Sequence, residues 1–196
     1  MSKDQNEEVK KQTRFPVFGS LSGLCFAAIL AAMSIILGKF LQIPNPFQDF
    51  IRISFENLPI LLAGISLGPI AGALVGTVAD LIGCISYGYS INPIITVGAA
   101  SVGLVSGVIS NYVLKKPLIL KVTVSAVSAH AVGSVLIKSA GLAAWYLSKY
   151  NIGYIEFVLW RLLNYTLVAT AECVILYLLL KNKAFQNQIE RMSKRK

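Results

Sequence analysis

The amino-acid sequence predicts an all-α integral membrane protein, a bundle of six transmembrane helices with both termini cytoplasmic. Three observations predict it. Of 196 residues 55% are hydrophobic and only 14% charged, and the mean hydropathy is +0.66, so there are too few charges to cover a water-facing surface. The apolar residues gather into stretches near the roughly 20 residues that cross a hydrocarbon core of about 30 Å. The cations fall between those stretches: Lys3, Lys10, Lys11 and Arg14 before the first, Lys115, Lys116 and Lys121 at one short connection, and Lys181, Lys183, Arg191, Lys194, Arg195 and Lys196 after the last. With these three regions cytoplasmic, the positive-inside rule is met for an even number of spans.

Residues 1–14 read as a solvated cytoplasmic tail, residues 15–181 as the membrane domain and residues 182–196 as a basic cytoplasmic tail. The first span, residues 15–38, is longer than the 7 to 15 apolar residues of a cleavable signal and reads as a retained helix. The loop after it, KFLQIPNPFQDFIRISFEN, is too patterned for a plain linker. A short second span, residues 55–67, closes at SLGPIAG, where Gly-Pro makes a tight uncharged turn. The third runs to Tyr87, and YGYSINP forms the next loop. The fourth covers residues 94–114, KKP turns the chain, the fifth covers residues 118–145, and the sixth covers residues 155–180 after the loop YLSKYNIGY. No internal repeat is visible, which counts against an inverted-repeat transporter.

The net charge of +9 does not point to nucleic acid, because the cations lie between spans instead of on one folded basic face. Cys25, Cys84 and Cys173 lie inside apolar spans in an odd number and without metal-ligand spacing, so they read as small apolar fillers, and neither a metal nor a cofactor is expected. Neither GxxxxGK[ST] nor GxGxxG occurs, so the chain cannot power transport with ATP by itself. An intramembrane hydrolase built from Ser134 or Ser128 with His130 fails on geometry, since nucleophile and base on one helix align poorly.

Ionisable groups inside spans are costly and mark functional sites by default. Five qualify: Asp80, His130, Lys138, Arg161 and Glu172. At 100° per residue, His130, Ser134, Lys138, Gly141 and Trp145 share an arc of about 80° on the fifth helix. On the sixth, Phe157, Arg161, Asn164, Tyr165 and Glu172 share about 100°. The two faces are expected to meet around a cavity. A rise of 1.5 Å per residue puts Lys138 about 26 Å above Lys121 and Arg161 about 30 Å above Lys181, both near the outer rim, while Asp80 lies deeper. Each residue has a plainer reading: Lys138 and Arg161 snorkelling to the interface, Asp80 in a structural bridge, His130 as a packing residue, Glu172 satisfied by its neighbours. On the first helix a stripe of small residues, Ser20, Gly23, Ala27, Ala31, Ser34 and Gly38, suits either close packing within the bundle or a docking face for another subunit. For the Gly72, Gly76, Gly83 edge of the third helix, internal packing is expected.

The stretch ENLPILLAGISLGPIAGALVGTVADLIG, followed by INPIITVGAASVGLVSG, resembles the substrate-binding membrane subunits (S components) of energy-coupling factor vitamin transporters over nearly the whole chain. HAVGSVLIKSAGLAAWY and WRLLNYTLVATAE are similar to the folate branch. The resemblance implies a vitamin bound by the last three helices and the outer loops, and association with a shared transmembrane scaffold protein and two ATPases. It also implies that an AxxxA pattern on the first helix, here Ala27 with Ala31 and Ala28 with Ala32, contacts the scaffold. Folate suits the residues: Asp80 and Asn92 would read the pterin edge, with Tyr87, Tyr89 or Trp160 on its face. Lys138 and Arg161, with Arg52 or Lys39, would hold the glutamate dianion, and His130 and Asn164 complete the expected site. The expectation is a high-affinity folate-binding subunit for ATP-driven uptake in a prokaryotic cell membrane, not an enzyme. The same frame would serve riboflavin, thiamin or pantothenate, and the rival class is a membrane scaffold protein.

Overall fold

The computed structural model describes residues 21–44, 52–114, 117–150 and 153–194. The chain forms α1 (Leu21–Phe40), a small hairpin β1 (Gln42–Pro44) and β2 (Arg52–Ser54), then α2 (Asn57–Leu67), α3 (Pro69–Tyr87) and α4 (Pro93–Val108). A π-helical turn, Ile109–Val113, extends α4; α5 (Leu118–Ala129) passes through a π-helical stretch, His130–Ile137, into α6 (Lys138–Tyr150). The long α7 (Tyr154–Lys181) and a final α8 (Lys183–Lys194) complete it. The strands are antiparallel, with Gln42 opposite Ser54 and Pro44 opposite Arg52, so part of the patterned first loop is a hairpin.

Five helical stretches among the described residues are long and apolar enough to cross a membrane: Leu21–Phe40, Pro69–Tyr87, Pro93–Val113, Leu118–Ala143 and Tyr154–Lys181. The expected second span is a shorter apolar helix than these five. Its helix, α2, has 11 residues, a rise of about 16 Å against the roughly 30 Å of a hydrocarbon core. Ten of those residues are buried, as befits a helix apolar all round that sits inside a bundle. Large apolar side chains point outward from the long helices instead, among them Leu21, Ile155 and Leu167, forming the surface that hydrocarbon would cover. The expected fifth span runs on as helix past Trp145 to Tyr150, so much of the expected loop YLSKYNIGY is helical. The first stretch is described from Leu21, and residues 15–20 lie outside the described residues.

Glycines let α2, α3 and α4 touch backbone to backbone. A Cβ on Gly72 would lie 2.6 Å from the Gly103 carbonyl oxygen and 2.6 Å from the Gly64 Cα; one on Gly107 would lie 2.5 Å from the Pro69 Cα. Small residues permit this approach, which substitutes for a hydrophobic drive that lipid does not supply. Of the glycine edge expected on α3, Gly72 and Gly76 pack this way against α4, whereas a Cβ at Gly83 would meet only the Tyr87 ring at 3.7 Å. The α2–α3 corner turns on Gly68 at φ 98°, a conformation open to glycine, and Pro69 starts α3 where no intrahelical donor is needed.

The small-residue stripe of α1 is mostly an inward face. Gly23, Ala31, Ser34 and Gly38 are buried and Ala27 packs on the core, while Ala28 and Ala32 are exposed. The four alanines expected to dock a partner therefore divide between two faces of the helix. At the other end of the chain, residues 183–194 of the expected basic tail form α8, whose Phe185 ring lies 6.2 Å from that of Phe26.

Candidate functional site

Ionisable side chains converge at the end of the bundle where α2 begins and α3 ends. Lys138, first residue of α6, is 5% exposed. Its Nζ donates to Glu56 Oε1 at 3.0 Å and to Asn57 Oδ1 at 3.3 Å. Its stem passes Gly98, where a Cβ would come 2.6 Å from Lys138 Cγ. Glu56 is held from the opposite side by α1: Ser34 Oγ donates to its carbonyl oxygen at 2.6 Å. The neighbouring Lys138 charge holds the Glu56 carboxyl below its ordinary value of 4.5, outweighing the cost of burial, with the Lys138 hydrogen bond and the Arg161 charge acting in the same direction.

The π-helical stretch carries the second part of the cluster. Such wide turns are rare and recur at functional sites. Buried His130 opens it; one ring nitrogen lies 2.5 Å from Glu172 Oε2 and the other 3.2 Å from Ser134 Oγ. Tyr165 stacks on the imidazole at 5.2 Å between centroids. Arg161 Nη2 donates to the Ser134 carbonyl at 2.8 Å and to Tyr165 Oη at 3.4 Å. The guanidinium also lies 5.2 Å from the Tyr165 ring and 5.6 Å from the Phe157 ring, within cation–π range. Glu56 forms an ion pair with Lys138, and Glu172 a hydrogen bond with His130. Arg161 is in neither, and its Nε is buried without a partner.

The remaining expected residues surround this cluster. Asp80 is half-buried, its Oδ2 accepting from Thr96 Oγ1 at 2.6 Å, and its charge acts on Lys138. Asn92 caps α4, accepting from the Ile94 amide at 3.0 Å, and donates to the Gly141 carbonyl at 2.9 Å, so the structure uses its amide to tie α4 to α6. Tyr87 Oη donates to the Ile35 carbonyl and its ring meets exposed Tyr89 edge-on at 5.9 Å; Lys39 Nζ lies 5.4 Å from the Tyr87 centroid. Trp160 is half-buried and Asn164 buried on α7. Arg52 lies in β2, with its side chain outside the described residues, as is that of Trp145.

Lys138 was expected near the outer rim, holding a ligand's anion, snorkelling to the interface or bridged to Asp80. It is buried and engaged instead, because Glu56 at the head of α2 neutralises it. Glu56 and Asn57 were absent from the expected site, and Thr96 likewise. A dense set of cations, carboxylates, amides and aromatic faces can grip a polar, flat, charged small molecule from several sides.

The family model for the substrate-specific component of ECF transporters matches residues 23–192. The structure is similar to the crystal structure of FolT bound with folic acid, with a TM-score of 0.64 and 21% identity, covering 84% of this chain and 96% of that one. It is also similar to the S component of a bacterial ECF transporter, with a TM-score of 0.61 and 23% identity, covering 88% and 97%. A third likeness is to the S-component for biotin from an ECF-type ABC transporter, with a TM-score of 0.60 and 19% identity, covering 96% and 99%. At these identities the likeness is one of fold. No curated protein matches the chain.

Proposed function

The chain belongs to the substrate-specific components of ECF transporters, multi-pass membrane subunits that bind a vitamin and are not enzymes, and from that premise we propose that its vitamin is folate. The observation that carries this reading is Arg161. It is a cation with no carboxylate partner among the described residues, steadied by the Ser134 carbonyl and two aromatic faces, with Nε buried and unpaired. A buried or half-buried charge left this way favours an anionic ligand, which supplies the missing counter-charge. Across the cluster Asp80 holds a carboxylate beside Thr96, suited to the paired N–H donors of a pterin edge, and Tyr87, Tyr89 and Trp160 offer faces for a flat ring. In this proposal the pterin's ring donors meet Asp80 and the carboxylate tail meets Arg161.

In this reading the protein lies in a prokaryotic cell membrane with both termini cytoplasmic, the short α2 making the second of six crossings, and the cluster toward the outside. It works with a transmembrane scaffold subunit and two ATPases, since it has no phosphate loop of its own. Of the alanines on α1, exposed Ala28 and Ala32 form the docking pair, because a partner helix can reach them. Calorimetric titration of purified protein with folate and with pterin, which has no carboxylate, tests the proposal. Folate should bind far more tightly; equal affinities would remove the role given to Arg161.

A further inference from the structure

The same site holds a carboxylate of its own where a ligand's would go. Lys138 is 6% exposed at its side chain and Glu56 is 36% exposed, so the cation is reached past Glu56. Beside Nζ lies the Asn57 amide, whose oxygen already accepts from Lys138 and whose buried Nδ2 has no partner. Lys138 Nζ and the unpaired Asn57 Nδ2 are thus two buried donors on adjoining side chains. The Glu56 backbone is held by the Ser34 hydroxyl, so its pairing with Lys138 rests on the side chain.

We propose that Glu56 is a place-holder for the ligand's second carboxylate. Resting on the folate reading, binding is then an exchange: one carboxylate takes Arg161, and the other displaces Glu56 from Lys138 and also accepts from Asn57. Replacing one carboxylate by another keeps the buried ammonium neutralised throughout, so its desolvation is not met a second time. Glu56 competes with any dicarboxylate for Lys138 and adds negative charge beside it. It is therefore a specificity-determining residue that sets how much the second carboxylate gains. A monocarboxylate, satisfied by Arg161 alone, leaves Glu56 in place.

Titration of wild-type protein and Glu56→Gln with folate, which has two tail carboxylates, and with pteroate, which has one, tests this. Glu56→Gln should tighten folate by about tenfold or more, the lower end of close charge-pair couplings, and tighten pteroate, whose one carboxylate at Arg161 feels Glu56 only through space, by clearly less. Weaker or unchanged folate binding, or equal tightening of both ligands, overturns the exchange. Should Glu56→Gln fail to fold, Glu56→Asp, which shortens the reach to Lys138, should tighten folate to a lesser degree, and no tightening overturns the proposal. Wild-type protein that binds neither ligand refutes the folate reading and the exchange together, whereas wild-type binding without tightening in the variants refutes the exchange alone.

Discussion

Replacing Arg161 by Met keeps the aliphatic stem and removes the charge. Arg161 is half-buried and pre-set by the Ser134 carbonyl at 2.8 Å and by two ring faces, so little ordering remains when an anion arrives. Truncating one member of a desolvated charge pair costs roughly 2 to 5 kcal/mol, and partial exposure places this case at about 2 to 3 kcal/mol. Folate affinity should then fall roughly 30- to 150-fold. Pterin, which has no carboxylate, should lose less than about threefold, because it does not use the cation. Calorimetry on both ligands reads the difference directly. Equal losses would mean that Arg161 supports the cluster's shape without holding the ligand's anion, and a change below threefold for folate would remove it from the site.

Three further outcomes follow from the packing and the charges. Ala28→Leu with Ala32→Leu should leave vitamin affinity unchanged and abolish pull-down of scaffold and ATPase subunits, whereas Ala27→Leu with Ala31→Leu should lower the melting temperature of the isolated protein, since Ala31 is 6% exposed; normal assembly of the first pair removes the docking face. Gly72→Ala should destabilise by about 1 to 3 kcal/mol through overpacking, its Cβ meeting backbone at 2.6 Å, while Gly83→Ala, with only the Tyr87 ring at 3.7 Å, should be neutral or stabilising; the thermal melts of the two variants decide. The Glu56 carboxyl titrates below 4.5 because Lys138 favours its charged form, so its pairing contributes fully above about pH 4.5 and is lost only as pH falls through the lowered value. Wild-type and Glu56→Gln melting temperatures should therefore converge only well below pH 4.5, and convergence at pH 5 or above would show that the pair does not form.

The long helices were legible because a run of about 20 apolar residues has few alternatives. Hydropathy does not separate lipid-facing from protein-buried residues, so nothing in α2, equally apolar, marked it as a short helix buried within the bundle. The stripe on α1 was found by its period, yet the period does not tell which side faces inward, and Ala27 and Ala28 differ by one residue's rotation. Arg161, His130, Lys138 and Asp80 were found because charge inside a span is expensive. Glu56 fell inside the expected second span, residues 55–67, yet was passed over because it also closes the patterned loop at that span's edge and its partner lies 82 residues away. The π-helical stretch has no local signal in HAVGSVLI, although the 100° wheel already placed His130 and Ser134 on one face.

The central claim is that this site is built for a ligand with a ring of hydrogen-bond donors and an anionic tail. The most direct measurement is a side-by-side binding titration of the purified protein with folate, biotin, pantothenate, riboflavin and thiamin. The account predicts that folate binds most tightly and that excess folate displaces any other vitamin that binds. Tighter binding of thiamin or riboflavin, which carry no carboxylate, with folate unable to compete, would contradict it.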